Sequence, residues 1–233
     1  MRGCARLLAP SSRPGRPPTM TDRYYATARN EILPWLPARC ERILDIGCGI
    51  GSTTLAIKAH RAVSWAAGVE YVDNVADQAE PHFNRLWRGD AAQADLESVI
   101  APASLDVVLC LDVLEHMADP WTMVRRLSAL LRPGGRLIVS VPNIRNWKFL
   151  WRLAILGDFH YRDAGLLDRT HLRFFVRKTA VELATCGGLQ CAAAQSVQRW
   201  TFPDARWLLS TLSGGSLDTF MAKQWLIVAE RHS

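Results

Sequence analysis

Three glycines at alternate positions follow an acidic residue at the end of a short apolar run. The run covers residues 43–46, and Asp45, Gly47, Gly49 and Gly51 have the spacing D-x-G-x-G-x-G. Glycine adopts backbone conformations that other residues avoid, and it lets a ligand approach the main chain closely. The pattern predicts a ligand-binding loop between a strand and a helix.

The spacing of these glycines disfavours two common nucleotide-binding loops. A dinucleotide-binding loop has the spacing G-x-G-x-x-G. Here the third glycine comes two residues after the second, and residue 52 is Ser. The lysine of a phosphate-binding P-loop is also missing. We therefore expect a different cofactor.

Two further acidic residues follow the next predicted strands. Glu70 comes directly after residues 64–69, and Asp90 follows residues 86–89. Ligands of open α/β sheets bind at the carboxyl ends of strands, where a carboxylate can accept hydrogen bonds from both ribose hydroxyls. Each acid alone can equally be a solvated turn residue. Three acids in register with three strands favour a single cofactor site.

Three histidines are candidates for a general base, a task that suits an unperturbed pKa of about 6.5. His116 follows the fourth predicted strand, whereas His160 and His171 lie within residues 143–178. We predict His171 as the base and His160 as the second choice. His116 can equally support the site or cap a helix. The polar residues of this segment can form a wall that binds hydroxyl groups, or ion pairs that fasten the segment to the sheet.

The elements that must position these residues alternate between strand and helix. We predict helices at residues 24–36, 53–60, 74–83, 121–131 and 178–185, and strands at residues 42–46, 64–69, 86–89, 106–111, 135–141, 189–197 and 225–231. This order predicts an α/β, Rossmann-like fold with a seven-stranded, mostly parallel sheet and helices on both faces. An apolar stripe at helical spacing in residues 147–155 predicts packing against the core or within a lid, with a membrane surface as the alternative.

The glycine loop resembles motif I of class I S-adenosylmethionine-dependent methyltransferases. Residues 105–120 and 132–139 are similar to segments of the small-molecule members of that family. The resemblance implies S-adenosylmethionine as cofactor, with the loop against its methionine part, Asp45 near its amino group and Asp90 near its adenine. The cofactor-binding residues that we expect are Asp45, Gly47, Gly49, Gly51, Glu70, Asp90 and Asp112.

Residues 157–175 resemble a segment of bacterial methyltransferases associated with glycan synthesis, in which the insert after the fifth strand covers the active site. The N-P-P-Y motif of many amine methyltransferases is absent after the fourth strand. We therefore expect a small-molecule acceptor that is methylated on an oxygen or a carbon. An oxygen of a glycan or its precursor is favoured. A quinone or phenol is the alternative, and a non-catalytic cofactor-binding protein is a third.

Composition limits the choice of partners. The net charge is +6, but four arginines and no acidic residue lie in residues 1–20, which leaves +2 for the remainder. We therefore expect a disordered tail at residues 1–20 and one methyltransferase domain at residues 21–233. Met20 is the start of translation that we expect. The near-neutral remainder of the chain disfavours a nucleic-acid partner. No apolar stretch is long enough to cross a membrane. The six cysteines form no C-x-x-C pair, so we predict a cytoplasmic protein with no metal site.

Overall fold

Seven strands form one sheet in the computed structural model, which describes residues 27–197 and 218–232. The strands are β1 (Arg42–Ile46), β2 (Trp65–Glu70), β3 (Arg85–Arg88), β4 (Leu105–Leu111), β5 (Leu131–Pro142), β6 (Gln190–Ser196) and β7 (Gln224–Glu230). The helices are α1 (Ser52–His60), α2 (Asp73–Ala79), α3 (Pro120–Leu130), α4 (Trp147–Leu156), α5 (Arg177–Thr185) and α6 (Asp218–Met221). The tail that we predicted at residues 1–20 lies outside the described residues.

The order of strands across the sheet is β3-β2-β1-β4-β5-β7-β6. Strands β1 to β5 pair in parallel, and β7 runs antiparallel to both of its neighbours. Strands β2 and β3 follow on one side of β1, and β4 and β5 on the other. The strand order therefore reverses between β1 and β4, and the carboxyl ends of these two strands form the crevice where such folds bind ligands. The predicted seven-stranded, mostly parallel, Rossmann-like sheet is confirmed.

Two apolar layers cover the two faces of the sheet. Successive side chains of a strand point to opposite faces, and in β1 Ile43 packs in the layer that contains Ile57 of α1. Leu44 packs in the other layer, with Leu127 of α3 and Leu183 of α5. A strand that is buried on both faces reads as a continuous apolar run, which is why the sequence predicted β1 and β4 closely.

Three predicted elements differ from the structure. The helix predicted at residues 74–83 is α-helical only to Ala79 and continues as the 3-10 helix Glu80–His82. The first helix is a 3-10 helix, Asn30–Trp35, and Pro34 inside it has no backbone N–H for an α-helical hydrogen bond. Strand β5 begins at Leu131, four residues before the predicted start, because Leu131 pairs with Leu105 of β4. A Cβ atom at position 135 would lie 2.8 Å from the Leu105 carbonyl oxygen, so only glycine fits there.

The prediction that the stripe in residues 147–155 packs on the core is wrong for the part of the chain that the structure describes. Phe149 is the buried residue of α4. Trp151 and Ile155 are 52% and 66% exposed. Within residues 27–197 and 218–232, no helix has the length and apolar content that crossing a membrane requires.

Candidate functional site

The glycine loop connects β1 to α1 and has a backbone that side chains would disturb. Gly47 has a φ of +71° and Gly51 a φ of +87°. A Cβ atom on Gly47 would lie 3.1 Å from a methyl group of Val113, in the turn after β4. The loop therefore lies directly against the segment that leads to His116.

Glu70 at the end of β2 contacts this loop. Its side chain is buried, Oε2 accepts a hydrogen bond from the Gly49 N–H at 2.9 Å, and Oε1 accepts one from the Val72 N–H at 2.9 Å. Glu70 makes no ion pair with any described residue. Each carboxylate oxygen keeps a lone pair that can accept a hydrogen bond from a ligand hydroxyl.

The acids Asp45 and Asp90 lie at the same edge of the sheet in different environments. Asp45 is buried, and its Oδ2 accepts a hydrogen bond from the Thr54 hydroxyl at 2.8 Å, which ties β1 to α1. Burial raises the pKa of Asp45 to about 7. Asp90 is exposed, and its Oδ1 accepts a hydrogen bond from the Ala92 N–H at 2.9 Å. Asp90 is therefore open to a ligand, whereas Asp45 first supports the loop.

Asp112 follows β4 and connects three segments. It has a φ of +58°, which is unusual for a residue other than glycine and is often found at functional sites. Its carboxylate accepts hydrogen bonds from Ser140 of β5, Gln224 of β7 and Arg29. The backbone N–H of Arg29 also donates to Thr53 at the start of α1. Sequence reasoning missed Arg29, because no local pattern indicates partners so far along the chain.

The structure brings His116 and His171 together. His116 ends the 3-10 turn Leu114–His116, and His171 lies in the insert that follows β5. Their ring centroids are 4.7 Å apart, with an angle of 70° between the ring planes. The N–H groups of Leu172 and Arg173 donate to the Glu115 carbonyl oxygen at 2.8 and 3.0 Å. These backbone hydrogen bonds seat the insert on the turn.

The contacts of the two rings assign the proton of each neutral imidazole to Nδ1. Nδ1 of His171 lies 3.0 Å from the Leu166 carbonyl oxygen. Nδ1 of His116 lies 3.3 Å from the Thr170 carbonyl oxygen and 2.9 Å from the Thr170 hydroxyl. A carbonyl oxygen can only accept, so both Nδ1 atoms donate and both Nε2 atoms carry a lone pair. Burial lowers the pKa of His116, and the neighbouring His171 lowers it further. Near pH 7 His116 is therefore a neutral ring that can accept a proton at Nε2.

Glu115 completes this cluster and was not predicted. It is 1% exposed, and neither of its carboxylate oxygens has a hydrogen-bond partner among the described residues. Burial raises the pKa of Glu115 well above its ordinary value, and the nearby charge of Asp112 adds to this effect. The adjacency of Glu115 and His116 was visible in the sequence, but the burial was not.

Glu115, His116 and His171 each offer one donor atom within 4.8 Å of the others. A carboxylate with two imidazoles is a donor set that a divalent cation can use, with bonds of about 2.1 Å that place ligands about 3.4 Å apart. A limit of 4.8 Å on the separations of these donor atoms does not by itself identify a metal site. Our expectation that the protein has no metal site stays a prediction.

His160 does not join this cluster. Its side chain is 88% exposed, and its Nδ1 lies 2.7 Å from the carboxylate of Asp158. Arg169 likewise pairs with exposed Asp163 at 2.8 Å. Part of the predicted wall of polar groups, with His160, Asp163 and Arg169, therefore faces solvent, whereas Asp168 and His171 lie at the turn that ends at His116. Aromatic rings lie beside His171 instead, with Phe174 at 6.5 Å between ring centroids and further rings beyond it.

Comparison with known proteins gives a consistent family. A family model described as a methyltransferase domain matches residues 19–224. The chain is 34% identical over 152 residues to a ubiquinone biosynthesis O-methyltransferase of Coxiella burnetii, and the match covers 64% of each protein. It is 27% identical over 160 residues to one from Xanthomonas campestris, with 64% of this chain and 65% of that protein covered. The matched region thus spans less than two thirds of these relatives.

Solved structures show the same fold. A SAM dependent methyltransferase from Archaeoglobus fulgidus superposes with a TM-score of 0.62 at 16% identity, covering 91% of this chain and 98% of that one. An S-adenosylmethionine dependent methyltransferase from Mesorhizobium loti gives a TM-score of 0.56 at 15% identity, covering 86% and 98%. At these identities the likeness concerns the fold.

Proposed function

This chain belongs to the methyltransferase domain family, and on that premise we propose that it transfers the methyl group of S-adenosylmethionine to an oxygen of a small aromatic acceptor. The observation that carries this proposal is the pair of His116 and His171, whose Nε2 atoms are available as proton acceptors beside the glycine loop. Val113 joins the two parts, since it contacts Gly47 and precedes His116 by three residues.

The residues at the carboxyl edge of the sheet fit the proposed cofactor. Glu70 is a buried carboxylate with two backbone donors and no cation partner among the described residues, which suits the two hydroxyls of a ribose. The loop at Gly47, Gly49 and Gly51 gives the methionine part access to the main chain. Asp90 is the exposed acid for the adenine, and Asp45 retains one carboxylate oxygen for an amino group.

The chemistry of methyl transfer assigns limited tasks to the protein. The bound cofactor supplies a sulfonium methyl group, whose C–S bond breaks as the new C–O bond forms, with the electron pair left on sulfur. The protein holds the acceptor oxygen in line with that bond and takes its proton on an imidazole Nε2. Alignment contributes several kcal/mol, and a general base contributes about 10²–10⁴-fold in rate.

Energetics favour a phenolic acceptor over a sugar hydroxyl. A phenol, with a pKa near the ~10 of tyrosine, loses its proton to an imidazole of pKa ~6.5 at a cost of roughly 5 kcal/mol. An alcohol near the pKa of water, ~15.7, would cost roughly 12 kcal/mol by the same conversion. The rings beside His171 also suit an aromatic acceptor. Of the polar groups that had favoured a glycan, His160 pairs with Asp158 and Arg169 with Asp163, both away from the two rings.

An assay of the purified chain with methyl-labelled S-adenosylmethionine tests the function. A catechol and a hexose serve as acceptors, and we expect labelled methyl ether from the catechol. His116→Ala and His171→Ala should bind cofactor normally in calorimetry, and at least one should lose turnover by ~10²-fold or more. His160→Ala is the matched control and should retain activity. Cofactor binding without methylation of any hydroxyl acceptor would instead indicate a non-catalytic cofactor-binding protein.

A further inference from the structure

A continuous chain of hydrogen bonds runs from His116 to a carboxylate in the insert. The Thr170 hydroxyl donates to Asp168 Oδ1 at 2.6 Å, and the Thr170 N–H donates to the same oxygen at 2.8 Å. The Thr170 oxygen also lies 2.9 Å from Nδ1 of His116. A hydroxyl has one proton, and Asp168 receives it, so Nδ1 of His116 must be the donor in the last contact. The order is imidazole, hydroxyl, carboxylate.

We propose that Asp168 and Thr170 are positioning residues that fix the His116 ring and make its Nε2 the atom that takes the acceptor's proton. This inference rests on the proposed methyltransferase function. In the step itself the O–H bond of the acceptor breaks, its proton binds Nε2, and Nδ1 keeps its own proton. The positive charge that forms on His116 is stabilised by the Asp168 carboxylate through the Thr170 hydroxyl. The proton passes to solvent after the methylated product leaves.

The hydrogen-bond partners distinguish His116 from His171. Nδ1 of His171 donates to the Leu166 carbonyl, which is a neutral acceptor. A charged acceptor makes the stronger hydrogen bond and stabilises an imidazolium better. The ionisable groups that act on His116 are Glu115 on its own turn, Asp112 at the end of β4, and Asp168 and His171 from the insert. Among them, Asp168 is the one linked to Nδ1 by hydrogen bonds.

The hydrogen bonds from His116 through Thr170 to Asp168 also make the acid–base chemistry depend on the position of the insert. Both positioning residues lie in the insert, and Thr170 is 54 residues away from His116 in sequence. The N–H groups of Leu172 and Arg173 anchor this stretch on the Glu115 carbonyl oxygen. His116 therefore has both of its hydrogen-bond partners only when the insert packs against the turn after β4.

Nitrogen-15 NMR of the histidine side chains in the full chain tests the inference without any acceptor. In the wild type, neutral His116 should carry its proton on Nδ1. Thr170→Val and Asp168→Asn should each move the titration of His116 downward by about one pH unit, a tenfold change in proton affinity. Thr170→Ser keeps the hydroxyl and should keep the wild-type titration. The double variant Thr170→Val, Asp168→Asn should shift no further than either single variant, because either change breaks the same chain.

Additive shifts in the double variant, or a Thr170→Ser titration equal to that of Thr170→Val, would overturn the inference. The tautomer of His171 is the internal control and should stay unchanged in Thr170→Val, because its partner is a backbone carbonyl. Calorimetry with S-adenosylmethionine distinguishes a failure of the proposed function from a failure of the positioning role. A wild type that does not bind the cofactor refutes the proposed function. Cofactor binding with an unmoved His116 titration refutes the positioning role alone.

Discussion

Replacing Gly47 by alanine tests the cofactor loop directly. At a φ of +71° the new side chain makes the backbone unfavourable, by about 1–2 kcal/mol. The added Cβ would also lie 3.1 Å from a methyl carbon of Val113 and 3.2 Å from its Cβ. Ordinary carbon contacts are about 3.5–4.0 Å, so the loop or the turn must move, and overpacking of this kind costs about 1–3 kcal/mol.

Part of this energy should appear as weaker cofactor binding, because the loop that moves is the one that we propose holds the cofactor. A loss of 1.4 kcal/mol is about tenfold in Kd, so we expect a Kd for S-adenosylmethionine raised by roughly 10–100-fold. Urea unfolding should show a free energy of unfolding lowered by about 2–5 kcal/mol in the absence of cofactor.

Gly157→Ala is the matched control. Gly157 ends α4 at a φ of +62°, and a Cβ atom there would have nothing within 4 Å. This variant should lose about 1–2 kcal/mol of stability and bind cofactor as the wild type does. A Kd of Gly47→Ala within about twofold of wild type, or an equal weakening in Gly157→Ala, would refute the placement of the cofactor on this loop.

Three further predictions concern charge, metal and surface. Burial raises the pKa of Asp45 from 3.8 to about 7, so the folded wild type loses stability as pH rises through that range. Asp45→Asn should then be more stable than wild type at pH 8, by up to roughly 4 kcal/mol, and equal to it below pH ~4 in urea unfolding. Dialysis against EDTA should leave methyl transfer unchanged; a loss that a divalent cation restores would contradict the absence of a metal site. If α4 contacts membranes, Trp151→Ala should reduce sedimentation with anionic vesicles, whereas Trp121→Ala on α3, 38% exposed, should not.

The strands and the meeting of the glycine loop with Glu70 could be predicted because their signals are local. Buried parallel strands read as continuous apolar runs, and β1 has the predicted bounds, Arg42–Ile46. Glu70 follows such a run and meets Gly49 as the edge of a parallel sheet requires. The 3-10 helix Asn30–Trp35 was harder to predict, since a proline near the end of an apolar pattern is compatible with both helix types.

The acceptor half could not be predicted because its contacts join distant segments through irregular backbone. Residues between α4 and α5 have no helical or strand period, so no pattern predicts the directions of the His160 and His171 side chains. His160 turns to Asp158 in solvent, whereas His171 is 9% exposed and meets His116. Which histidine enters the site follows from the backbone hydrogen bonds at the Glu115 carbonyl, and no sequence pattern indicates these.

The two halves of the site meet at Val113, and this contact yields a last prediction. Val113 lies against Gly47 on one side and leads into the turn that ends at His116. In the proposed function, Val113 therefore spaces the cofactor loop from the proton acceptor. Removing its methyl groups in Val113→Ala leaves the Gly47 backbone and the hydrogen bonds of His116 in place.

Cofactor affinity and the His116 tautomer should accordingly stay near wild type in Val113→Ala. Turnover should fall, because a misplacement of about 1 Å between reacting groups can cost ~10²-fold. Calorimetry, side-chain NMR and the methylation assay on one preparation separate these effects. If turnover fell only as far as cofactor affinity fell, Val113 would serve the loop alone. Turnover that falls while both halves are intact shows that alignment between them contributes to the rate.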